Sequence, residues 1–134
     1  MILPNDAVVA VVDGKRMRLF RNSGHEPHIN LIELPAPNLG TGRAGSGSRH
    51  RSSTANPDDR RHVEDDFAAA VADYLNREAL ADKFGQLLII ADPRTLGELR
   101  KHFHDVLAAK LIGQLAKDLS GCPLEAIQAA IVDA

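Results

Sequence analysis

Cysteine is almost missing from this sequence: Cys122 is the only one in 134 residues. That excludes a disulfide framework and any thiolate metal cluster within one chain. It suits a reducing compartment. Net charge is almost missing as well. Sixteen Lys and Arg against eighteen Asp and Glu leave −2. No global basic field points to tight nucleic-acid binding, so any electrostatic patch must be local. The apolar run Ala7 to Val12 is six residues long, far short of the roughly 20 that a membrane-crossing helix needs. The opening Met1-Ile2-Leu3-Pro4-Asn5-Asp6 has no basic stretch and no cleavage site. A cytoplasmic location and no membrane partner are therefore expected.

What is present is concentrated in one stretch. Leu39 to Ala55 reads LGTGRAGSGSRHRSSTA, with Arg43, Arg49, Arg51 and His50 and not one acid. So little apolar surface cannot offset the entropy of ordering, which predicts a mobile loop over about 38–56. A long helix follows, over 57–80. Asn56 suits its N-cap and Pro57 its first position, and Asp58 and Asp59 complement its positive end. Val63, Phe67, Val71, Tyr74 and Leu75 recur at helical spacing as its apolar stripe.

The remaining elements are legible from pattern. Ala7 to Val12, rich in valine, reads as a central strand buried on both faces. Asp13-Gly14 reads as a two-residue hairpin turn whose central residues take positive φ. Lys15 to Arg21 alternates, with Met17 and Leu19 on one side and Arg16, Arg18 and Phe20 on the other. It forms a second, antiparallel strand. Ile29 to Leu34 is the third, stopped by Pro35-Ala36-Pro37. After the long helix, Gly85 ends the connection. Leu87 to Ala91 is a strand reached through a crossover, and so parallel to a neighbour. Asp92-Pro93 starts a helix that buries Leu96, Leu99 and Phe103. A fifth strand is expected near Leu111 to Lys117, and a last helix carries Leu124, Ile127 and Ile131. A meander followed by βα units makes an α/β fold: a mixed sheet with helices on both faces, in one domain spanning 1–134.

Three stretches together resemble a known family. They are VVAVVDGKRMRLF, the GRAGSGSRHRSS segment leading into DDRRHVEDDFAAAVADYL, and LLIIADPRTLGELRKHF followed by LAKDLSGCPLEAIQAAI. Their succession is similar to the bacterial host attachment proteins. That family is distantly similar to the middle domain of archaeal and eukaryotic class-one peptide release factors. The resemblance implies a ribonuclease H-like fold, a five-stranded mixed sheet of order 3-2-1-4-5. It also implies that Gly40 to Ser53 corresponds to the release-factor loop bearing Gly-Gly-Gln, which positions water for ester hydrolysis. This segment contains no glutamine. Hydrolysis does not carry over; a cationic tip before a long helix does.

The candidate contact set is Arg43, Arg49, His50 and Arg51 with Arg60, Arg61 and His62. Guanidinium forks suit phosphate, and glycines allow close backbone approach. Acids among 58–66 compete for Arg60 and Arg61 as local ion-pair partners, and no aromatic interleaves the segment for base stacking. The expected function is a non-catalytic binding protein, needing no cofactor, whose partner is the ribosome, RNA or another polyanion. A second reading is a metal-dependent phosphodiesterase holding Mg²⁺ on Asp13, Glu64 and Asp92 at the carboxyl ends of adjacent parallel strands. Asp13 in a turn and Asp92 at a helix start are equally explained without chemistry. A third reading is a protein–protein interaction module, a monomer or weak homodimer meeting through the third strand at the sheet edge. His25 and His28, in a turn, lack the spacing of a zinc hydrolase motif. His102 and His104 are expected to complement a helix C-terminus. Cys122 before Pro123 has no assignable base.

Overall fold

A computed structural model describes the backbone of residues 1–39 and 57–134, and the side chains of 1–39 and 62–134. The basic segment and Asn56 therefore lie outside the described residues, as does the expectation that 38–56 is a mobile loop.

The elements are β1 (Val8–Val12), β2 (Met17–Asn22), β3 (Leu31–Leu34), α1 (Pro57–Leu80), β4 (Leu87–Ala91), α2 (Pro93–Arg100), α3 (Asp105–Lys110), β5 (Leu111–Ala116) and α4 (Leu124–Asp133). The sheet order is β3-β2-β1-β4-β5, as the resemblance implied. β1 pairs antiparallel with β2 and parallel with β4, and β4 pairs parallel with β5. Every residue of β1 and β4 is buried, which is why their sequences are unbroken apolar runs rather than alternating ones. On one face Ala10, Val12, Ile89 and Ala91 pack with Phe67, Val71 and Leu75 of α1 and with Leu96, Leu99 and Leu107. On the other, Val9, Val11, Leu88 and Ile90 pack with Phe20, Ile127 and Ile131. Helices thus cover both faces. Burying each of the larger side chains is worth about 1.5–3 kcal/mol.

Local details refine or correct the expectations. The β1–β2 turn is closed by a side chain rather than by positive φ: Asp13 Oδ1 accepts from the amides of Lys15 (2.7 Å) and Arg16 (2.6 Å), and the Asp13 amide donates to the Arg16 carbonyl. No glycine among the described residues has positive φ. The carboxylate supplies the turn's acceptor, so a left-handed backbone is not needed, and β2 begins at Met17 rather than Lys15. α1 ends at Leu80 as expected, and Asp82 shapes its ending. It takes φ 57°, while the amides of Asp82 and Lys83 donate to the carbonyls of Ala79 and Glu78, a Schellman ending. Finally, His104 starts a helix instead of closing one: its Nδ1 accepts from the Val106 amide at 3.1 Å as N-cap of α3. His102 alone stays near the end of α2, 3.7 Å from Glu98.

Candidate functional site

The parallel register of β1 and β4 pairs Val12 with Ala91. Asp13 and Asp92 therefore leave the sheet side by side at its carboxyl edge, where open α/β sheets place ligands. A crevice of about 250 Å³ opens there, lined by Asp13, Gly14, Lys15, Glu64, Asp92, Thr95 and Asp118. The structure thus gathers all three carboxylates of the metal reading around one space.

Each of them, however, is engaged through at least one oxygen. Asp13 Oδ2 accepts from Ser120 Oγ at 2.6 Å, and its Oδ1 holds the two turn amides. Burial opposes the Asp13 charge. The Ser120 hydroxyl, the Lys15 and Arg16 amides and the Arg16 guanidinium outweigh it and hold the carboxyl below the ordinary range. Asp92 Oδ2 caps α2 by accepting from the Thr95 amide at 3.1 Å. Glu64 Oε1 takes Arg94 Nη1 at 3.0 Å, while Nη2 of the same guanidinium reaches Asp65 Oδ1 at 2.9 Å. Among the described residues, no three His, Cys, Asp or Glu side chains are placed to hold a metal ion. The acids work as fasteners: one for the turn, one for a helix start, one between helices.

Gly14 completes this arrangement. A Cβ there would lie 2.9 Å from Glu64 Cδ and Cγ, so the Glu64 side chain rests directly on the turn and a larger residue would push it aside. Across the sheet, Arg18 is forked onto Glu33 (3.0 and 3.1 Å). Its Nη1 donates to the carbonyls of Ser120 (3.2 Å) and Cys122 (2.7 Å). That ties the β5–α4 connection to β2, and Ser120 passes the tie on to Asp13.

Of the expected cationic set, His62 is exposed on α1. Arg43, Arg49, His50 and Arg51 lie outside the described residues, as do the side chains of Arg60 and Arg61. Glu64 and Asp65, two of the acids expected to pair locally with those arginines, are bonded by Arg94. Sequence reasoning missed Arg94, Ser120 and Asp118. Nothing in spacing marks them: Ser120 and Asp13 are 107 positions apart. β3 does lie at the sheet edge, and Gln128 Oε1 already accepts the Leu31 amide at 2.7 Å.

Set beside known proteins, the chain falls among release-factor-like domains. The sequence matches the family described as bacterial archaeo-eukaryotic release factor family 12 over residues 6–131. The chain belongs to that family. The family description carries the release-factor half of the resemblance and not the host-attachment name. No curated protein matches the sequence. Among the described residues, no helix is long and apolar enough to cross a membrane.

Proposed function

We propose that this chain is a non-catalytic binding protein of the translation apparatus, contacting ribosomal RNA or a similar polyanion through the cationic segment 40–56. Membership of a release-factor family supports a translation-related role. The observation that carries the reading is where the segment sits. It joins β3 to the first residue of α1, and the early part of α1 is tied to α2 by the Arg94 fork and set against the β1–β2 turn at Gly14. Three arginines with no acid among them thus precede, in the chain, a helix anchored at Glu64 and Asp65. The segment has no glutamine, so binding rather than ester hydrolysis is the function assigned. The host-attachment resemblance enters only as a second likeness to a binding family.

The test is co-sedimentation with ribosomes at low and high salt, comparing the native chain with an Arg43→Ala, Arg49→Ala, Arg51→Ala variant. Native protein pellets at low salt and is released at high salt. The variant stays in the supernatant at both, with an unchanged melting temperature. Pelleting that ignores both salt and the substitutions would reject the proposal.

A further inference from the structure

We propose that the cavity between the later turns of α1 and the β1–β3 side of the sheet binds a free apolar α-amino acid, its ammonium on Glu78 and its carboxylate on Lys83. The cavity measures about 270 Å³, room for roughly nine waters at about 30 Å³ each. A leucine-sized ligand matches that volume. The floor is apolar, with Leu19, Leu34, Leu75 and Phe84 among its lining residues, and the polar side chains Tyr74, Glu78 and Lys83 complete the lining. A mostly apolar pocket with a few convergent polar groups is the usual form of a small-molecule site.

Charge selects the ligand class. The neighbouring charges are matched elsewhere, Arg77 with Asp73 and Asp82 with Lys110. Among the described residues, Glu78 and Lys83 have no ion-pair partner in each other or in a third group. Glu78 Oε1 accepts the Tyr74 hydroxyl at 3.3 Å, leaving its second oxygen for a donor. Burial and the nearby Glu78 raise the Tyr74 pKa, so its hydroxyl remains a donor that orients the carboxylate. One acid and one base beside an apolar pocket complement a zwitterion with an apolar side chain. Lys110 stands 6.0 Å from the Phe84 ring centroid and donates to the Phe84 carbonyl at 2.9 Å, which holds that wall in place. The described lining includes none of the arginines of the polyanion reading, and the two readings stand or fall independently.

The experiment is a ¹H–¹⁵N NMR titration of the whole chain with L-leucine and L-phenylalanine up to about 10 mM. Saturable shifts are expected at Leu34, Tyr74 and Phe84, with Kd on the order of 1 mM. Glycine, isocaproate and isopentylamine lack in turn the side chain, the ammonium and the carboxylate, and each should bind at least about tenfold more weakly. Glu78→Gln and Lys83→Met should each weaken leucine binding by a similar factor while leaving distant resonances in place. The proposal is overturned by any of three results: no saturable shift with either amino acid, glycine binding equally well, or both variants binding like the native chain.

Discussion

Single residues hold this molecule together where its loops meet. Asn22 is fully buried. Its Nδ2 donates to the carbonyls of Leu3 (3.0 Å) and Pro4 (3.1 Å), and its Oδ1 accepts the amides of Gly24 (2.9 Å) and Asn30 (3.0 Å). Asn22→Leu strands three backbone groups, the Pro4 carbonyl keeping the Ala7 amide, and should lower unfolding free energy by about 3 kcal/mol or more, read from urea denaturation. Asp13 has the same kind of role with a charge. Its folded pKa lies below the ordinary value. Its contribution is therefore complete above the unfolded carboxylate range near 4 and is lost as pH falls through the lower folded value. Stability should decline on acidification below about pH 4, and Asp13→Asn should flatten that decline. An equal acid dependence in both proteins would remove Asp13 from the account.

At the scale of elements, α4 is the clearest case. It is the one described helix whose buried residues pack on the Phe20 side of the sheet, and it does so through Ile127 and Ile131. Both are wholly buried. Ile127→Ala should cost about 2–5 kcal/mol, since the cavity it leaves is walled by strands that cannot collapse into it. Protection from hydrogen exchange should fall across β1 and β4 together, because those two strands carry the facing residues Val9, Val11, Leu88 and Ile90. α1 is anchored differently. Phe67, Val71 and Leu75 are buried deep in the opposite cluster, while its early turns are held by ion pairs with the half-exposed Arg94. Exposed pairs contribute little free energy. Their use here is to fix direction, with Gly14 allowing the approach.

For the whole molecule, a net charge of −2 means that any polyanion must be met by one face and not by a general field. If Arg43, Arg49 and Arg51 each neutralise one phosphate of single-stranded RNA, the logarithm of affinity should fall with the logarithm of salt at a slope of about −2. The triple alanine variant should bring that slope close to zero. A steep slope that survives the variant would move the contact to another surface.

Sequence alone determined the order of elements, because each signal is local. Valine runs mark the doubly buried strands, and the 57–80 stripe and the Asp92-Pro93 start mark helices; such features act between neighbours a few positions apart. The mixed α/β class followed from that order; the strand order, and with it the meeting of Asp13 with Asp92, was implied by the family resemblance and is seen in the sheet. Tertiary structure alone decided which partners the carboxylates meet. That Asp13 meets Ser120 and Glu64 meets Arg94 depends on side chains 107 and 30 positions away. A hydrogen bond of 2.6 Å requires both groups to be fixed within fractions of an ångström, and only packing of the whole sheet against its helices sets distances that finely.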